Sequence, residues 1–132
     1  MDRMDDLVQF LRARLDEDEK TARHATQGPW VDELGHPIRG GYELRFIIAQ
    51  QAQRWNSQHI ARHDPARVLA EVEAKRQIID ECAYWIGKIN SSATDKYPYP
   101  NLAERGEVVL PVLTLLALPY ADHPDYRDTW RP

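Results

Sequence analysis

The sequence has very little cysteine and no long apolar run, and both absences limit what the protein can be. Cys82 is the one cysteine among 132 residues, so an internal disulfide is impossible and a disulfide-stabilised scaffold is excluded. The most apolar stretch, VVLPVLTLLAL at 108–118, is shorter than the about 20 residues of a membrane-spanning helix. The start of the chain shows no basic segment followed by an apolar run, so we expect no signal peptide. These features predict a cytoplasmic protein without a membrane partner.

An excess of basic residues is also missing. The chain has 17 Lys and Arg against 21 Asp and Glu, a formal net charge of −4. Because binding to phosphates requires a basic patch, this balance argues against a nucleic-acid partner. A nucleic-acid-associated regulator stays open as an alternative, and it requires that Arg54, Arg62, Arg67 and Arg76 converge on one face.

Sequence motifs of common catalytic sites are absent. The sequence contains no G-x-S-x-G, no Walker glycine loop and no C-x-x-C. It therefore offers no catalytic residue and no reason to expect a cofactor, and it favours a protein that is not an enzyme.

What the sequence does contain is helical periodicity. Residues 5–25 form one predicted helix, which GPW at 28–30 ends. A second, longer helix is predicted from about Pro65 to Ile89, with Asp64 as N-cap and Pro65 at the first helical position, where its missing N–H costs nothing. The apolar residues that define the two faces are Leu7, Phe10, Leu11 and Leu15, and Val68, Leu69, Val72, Ile79, Ala83 and Ile86.

A third helix is predicted over residues 107–118, ending before Pro119. Proline fits a helix only in its first turn, so this assignment requires Pro111 to lie there. Because the segment is apolar on nearly all sides, we expect it to be the most buried helix.

The region between the first two long helices differs in character. Several glycines interrupt residues 30–56, and YELRFII at 42–48 has the alternation of a strand, which predicts a small hairpin or three-stranded antiparallel piece. A short helix at 56–62, capped by Asn56 or Ser57, follows. The predicted fold is α+β: one domain over residues 1–132, with a small bundle of three main helices and a short antiparallel β insertion.

Two histidines beside the Asp-Pro break form one candidate site. His59 and His63 are four residues apart, the spacing that places two metal ligands on one helix face, and Asp64 supplies a carboxylate. No Glu lies between them as in H-E-x-x-H. The simpler interpretation is that the imidazoles flank a helix start. A metal-dependent hydrolase, acting on nucleotides, stays an alternative with His59, His63 and Asp64 as its residues.

The acidic run at 16–19 is a weaker candidate. Paired carboxylates on two helices hold Mg²⁺ in nucleotide hydrolases, but only Asp16 and Glu19 approach the required spacing here. A solvated helix face explains the run better.

The C-terminal segment, YADHPDYRDTWRP at 120–132, is unusually aromatic. We expect Tyr120, Tyr126 and Trp130 to dock this segment on the body of the protein. Aromatic residues and arginine also dominate protein interfaces, so a binding surface is predicted here as well. Its candidate residues are Tyr120, His123, Tyr126, Arg127, Trp130 and Arg67.

Three strings carry a resemblance to a known family. They are LVQFLRARLDEDEKTARHA at 7–25, HIARHDPARVLAEVEAKR at 59–76 and LLALPYADHPDYRDTW at 115–130. They resemble the signatures of domain of unknown function 6221, a family of actinobacteria and their phages. The resemblance implies a small cytoplasmic actinobacterial or prophage-encoded protein, and it implies no activity and no catalytic residue. The leading hypothesis is an accessory protein that binds a protein partner or forms a homo-oligomer.

Overall fold

The computed structural model describes residues 3–33, 36–50, 53–92 and 101–132. Contacts group the chain into two compact units, one formed by Met1–Leu15 with Ala74–Pro132 and the other by Asp16–Glu73. Each unit is described separately below. The prediction of a single domain stays a prediction.

Four α-helices and one small antiparallel sheet are described, so the α+β class is confirmed, although three main helices was one too few. The helices are α1 (Arg3–His24), α2 (Arg54–Arg62), α3 (Pro65–Ser92) and α4 (Leu102–Ala117), and the strands are β1 (Ile38–Gly40) and β2 (Phe46–Ala49). Short 3-10 turns lie at Tyr42–Leu44, Leu118–Tyr120 and Asp128–Trp130. None of the described helices combines the length and apolarity needed to cross a bilayer.

The first and third helices confirm the prediction from periodicity. In the Met1–Leu15 and Ala74–Pro132 unit, α1, α3, α4 and the C-terminal segment all supply buried apolar side chains. These are Leu7, Val8, Phe10, Leu11, Leu15, Ile79, Cys82, Ile86, Leu102, Val109, Leu113, Ala117 and Trp130. The C-terminal segment is therefore docked, as its aromatic content predicted.

Helix α4 differs from the prediction in three ways. It begins at Leu102 rather than near residue 107, and Pro111 therefore lies in its interior instead of its first turn. The Thr114 hydroxyl donates to the Pro111 carbonyl at 3.0 Å. The helix is also not the most buried one, because Val108 and Leu115 are 59% and 57% exposed. Only one side of α4 faces the core.

In the Asp16–Glu73 unit, the predicted strand at 42–48 is interrupted. Gly41 adopts φ 77°, in the left-handed region that glycine tolerates, and Tyr42–Leu44 forms a 3-10 turn. The strand therefore starts only at Phe46 and pairs with β1 in the register Ile38↔Ala49 and Gly40↔Phe46. Val31 adds a third short antiparallel contact, since its N–H donates to the Arg39 carbonyl at 2.7 Å.

The short helix α2 is real, but its predicted caps are wrong. It begins at Arg54 after Gln53, whose side chain makes no capping hydrogen bond, and Asn56 and Ser57 lie inside the helix. Ser57 is buried there. The Ser57 N–H donates to the Gln53 carbonyl at 2.9 Å, so Gln53 is the N-cap and the predicted caps fall in the first turn.

The start of α3 confirms the prediction for Asp64. The Arg67 N–H donates to Asp64 Oδ1 at 3.0 Å, which is N-cap geometry, and Pro65 is the first helical residue. The Trp30 N–H donates to the other carboxylate oxygen at 3.1 Å. Asp64 is only 8% exposed, so one buried carboxylate joins the helix start to the segment that follows α1.

Candidate functional site

The aromatic residues of the C-terminal segment surround one side chain of α1. The Phe10 ring lies 5.0 Å from Trp130, 5.8 Å from His123, 6.0 Å from Tyr126 and 6.4 Å from Tyr120, centroid to centroid. Three of the four contacts are edge-to-face, the arrangement that aromatic pairs prefer. Four of the predicted binding residues are therefore brought together, and they pack on α1.

A buried arginine completes this cluster. Arg14 is 7% exposed, and its guanidinium lies 2.7 Å from His123 Nδ1 and over the Phe10 ring at 5.1 Å. The Asp125 backbone N–H also donates to His123 Nδ1, at 3.0 Å. Since arginine has only donors, both contacts require Nδ1 to act as an acceptor, and the ring proton belongs on Nε2. The imidazole of His123 thus positions the C-terminal segment.

Arg127 is the most accessible of the predicted binding residues in this cluster. Its guanidinium lies 2.8 Å from an Asp6 carboxylate oxygen and 5.2 Å from the centre of the Trp130 ring. These contacts tie the segment to α1 a second time. Arg67 belongs to the Asp16–Glu73 unit, where it forms an ion pair with Glu71 at 2.8 Å. The binding role predicted for these residues stays a prediction.

His59 and His63 do lie side by side, with ring centroids 4.2 Å apart. His63 Nδ1 lies 2.8 Å from the His59 carbonyl oxygen, so that nitrogen donates to backbone. Both oxygens of Asp64 accept backbone N–H groups. Within residues 3–33, 36–50, 53–92 and 101–132, no group of three or more His, Cys, Asp or Glu side chains is placed to hold a metal ion. The described geometry therefore adds no support to the hydrolase alternative.

A groove that the sequence did not reveal lies between α3 and α4. Its volume is about 440 Å³. The residues that line it are Glu81, Cys82, Trp85, Asn101, Glu104, Arg105, Val108, Val109 and Val112. Apolar side chains from two helices thus face a surface cavity, which is the common composition of binding sites in proteins.

Trp85 organises one end of this groove. Its Nε1 donates to Glu81 Oε1 at 2.7 Å, and the Arg105 guanidinium lies 3.9 Å from the centre of its ring. A cation at this distance is attracted by the ring face. The three side chains connect α3 and α4 at the groove wall, and the remaining lining is apolar apart from Asn101 and Glu104 at the N-terminal end of α4.

The exposed apolar side chains of α4 continue the groove. Val108, Val112 and Leu115 have the spacing i, i+4, i+7 and therefore share one helix face. Val108 and Leu115 are more than half exposed, and residues 108–120 contain no charged residue. We call Val108, Val112 and Leu115 the apolar strip.

Cys82 lies in the groove lining and is buried, as predicted for a small apolar side chain. Burial raises the pKa of its thiol, and the nearby negative charge of Glu81 raises the pKa further. The thiol therefore carries less thiolate at neutral pH than a thiol in water.

We expect Cys82 to react slowly with Ellman's reagent at pH 7.5, at least tenfold more slowly than in urea-unfolded protein, because the thiolate is the nucleophile. The raised pKa also makes the free energy of unfolding depend on pH. The contribution of the protonated thiol to this free energy is fully present below about pH 8.5, the ordinary thiol pKa, and is lost as the pH rises through the higher pKa of the folded state. Cys82→Ala should remove that alkaline loss. Equal reaction rates in the folded and unfolded protein would contradict the burial.

The fold and the groove define a small, mostly helical α+β protein with an apolar surface groove. Comparison with known families assigns it further: residues 4–132 match the family of unknown function DUF6221, and the chain belongs to that family. No curated protein and no solved structure matches the chain.

Proposed function

We propose that this chain is a non-enzymatic accessory protein of the cytoplasm that acts by binding another protein chain. The observation that carries the proposal is the apolar strip and the groove beside it. The single free cysteine suits a reducing compartment.

The strip supports binding because it forms one continuous surface. Single exposed apolar residues are normal on proteins, but a contiguous apolar surface bordered by polar residues marks an interaction site. Here the strip adjoins the groove, and the polar residues Glu104 and Arg105 lie at its N-terminal end. Completely burying a fully exposed valine or leucine contributes about 1.5–3 kcal/mol, and Val108 and Leu115 are a little over half exposed, so each contributes about half of that on binding.

The aromatic residues of the C-terminal segment contribute less to this proposal. Trp130 is 2% exposed and is fully used in packing against α1. In the C-terminal segment a partner contacts mainly the exposed side chain of Arg127. In the apolar strip it contacts Val108 and Leu115, which are both more than half exposed. The strip is therefore the primary contact and the C-terminal segment is a structural element.

The test is site-specific photocrosslinking in cells that produce the protein. A benzophenone amino acid at position 115 should give a discrete protein adduct, because this position lies in the strip. The same probe at Ala70, an exposed helical position on α3 outside the strip, is the matched control and should give none.

A second variant adds a control for specificity. Val108→Asp, combined with the probe at 115, should reduce the adduct at least tenfold while the circular dichroism spectrum stays unchanged. Equal labelling from positions 115 and 70, or no protein adduct at 115, would overturn the proposal.

A further inference from the structure

We infer that the groove between α3 and α4 binds an amphipathic α-helix of a different protein, with apolar side chains facing the strip and Lys or Arg facing Glu104 and Glu107. This inference rests on the proposed function and specifies the partner's chemistry.

The shape of the groove fits a helix. Its α4 wall runs from Asn101 to Val112, which at 1.5 Å per residue is about 16 Å long, or three helical turns. Two neighbouring helices form its sides, so a third helix is able to insert its side chains between them. Helices bind such grooves through anchors at i, i+3, i+4 and i+7.

The lining provides contacts for those anchors. Val108, Val109 and Val112 come from α4, and Cys82 and Trp85 come from α3. Val109 and Cys82 are buried and form the deeper part, while Val108 stays exposed at the rim. Ile78 shares the α3 face of Cys82 and Trp85 by helical spacing and is 42% exposed, so apolar surface extends beyond the groove on this helix too.

The charges at the N-terminal end of α4 indicate the partner's charge. Glu104 and Glu107 are exposed, and neither forms an ion pair or hydrogen bond through its side chain within the described residues. Arg105, the one basic residue among the described residues of the lining, lies against the Trp85 ring. Among the described residues these two carboxylates have no counter-ion, and they lie beside the apolar surface, so a basic residue on the partner complements them.

A second copy of this chain is a poorer complement. Its own strip carries no basic residue, because residues 108–120 contain no charge, and its Arg105 is held on Trp85. Within the described residues, the strip and groove lining of a second copy therefore offer Glu104 and Glu107 no basic side chain other than the Arg105 on Trp85. The charge pattern thus favours a hetero-complex.

The experiment uses two synthetic helical peptides with the same apolar face, one with Lys and one with Glu at the polar positions. Their binding to the full chain is measured by fluorescence anisotropy in about 50 mM salt. The Lys peptide should bind at least tenfold more tightly than the Glu peptide. In the double variant Glu104→Lys with Glu107→Lys, the Glu peptide should bind more tightly than the Lys peptide, because the introduced lysines attract the Glu peptide and repel the Lys peptide.

Two further variants distinguish the apolar contact from charge alone. Val112→Asp should weaken the Lys peptide at least tenfold, while Ala70→Asp should leave both affinities unchanged. Circular dichroism of every variant shows that it is folded.

Three results would overturn the inference: equal binding of the two peptides, no binding of either one, or a dimer in sedimentation that Leu115→Asp dissociates. In the first two cases an adduct at position 115 in cells would still support a protein partner, so failure of the helix inference is distinguishable from failure of the proposed function. In the third case the partner is a second copy.

Discussion

Trp130→Ala is expected to lower the free energy of unfolding by about 3–5 kcal/mol, the usual loss when a buried tryptophan is truncated to alanine. Trp130 is 2% exposed and packs 5.0 Å from Phe10. The variant leaves a large cavity beside α1 and also removes the ring beneath Arg127. Urea denaturation followed by circular dichroism measures the change.

Trp55→Ala is the matched control, since Trp55 is 73% exposed and its removal should change the free energy by less than about 0.5 kcal/mol. Trp130→Phe gives a second comparison. The Nε1 of Trp130 is buried without a hydrogen-bond partner in the described part of the chain, so replacing the indole with phenyl breaks no hydrogen bond there. Trp130→Phe should therefore lower the free energy of unfolding less than Trp130→Ala. A loss for Trp130→Ala as small as that for Trp55→Ala would show that the C-terminal segment is not anchored by this ring.

Asp64→Ala is expected to lower the free energy of unfolding by about 2–4 kcal/mol. Loss of the N-cap accounts for about 1 kcal/mol, and leaving the Trp30 N–H without an acceptor accounts for about 1–3 kcal/mol more. Because the two N–H donors lie on different segments, the variant should also speed amide hydrogen exchange at both Trp30 and Arg67.

Asp64→Asn separates the two hydrogen bonds. An asparagine keeps one acceptor oxygen and replaces the other with a donor, so its loss should fall between wild type and Asp64→Ala. Asp128→Ala is the control for removing a carboxylate in general, since the Asp128 side chain is 93% exposed. If Asp64→Ala and Asp128→Ala cost the same, the buried carboxylate does not join the two segments.

The long helices were predictable because their signals are local. Apolar spacing defined α1 and α3, and the Asp64–Pro65 pair marked the start of α3. The start of α4 was missed because Glu104, Arg105 and Gly106 interrupt the apolar pattern, so its first turns show no apolar spacing in the sequence. The expectation that Pro111 lies in the first turn was then wrong. That expectation rests on the intrinsic cost of proline inside a helix, and it takes no account of packing that offsets this cost.

The functional surface was much harder to predict than the helices. The aromatic C-terminal segment was noticed from composition, and the structure shows four of its residues around Phe10, a contact between residues more than a hundred positions apart. The groove was missed because Trp85 and Arg105 lie on different helices and no spacing relates them. The apolar strip has a visible period, but the sequence could not tell a buried face from an exposed one.

The contact between Gly28 and Asp64 has a consequence for how this family is able to diverge. A Cβ atom at position 28 would lie 2.6 Å from Asp64 Oδ2, the oxygen that accepts the Trp30 N–H. Any side chain at position 28 would push the carboxylate away from both of its donors. The two positions should therefore vary together across relatives, so that a chain with a larger residue at 28 begins its long helix with a different cap.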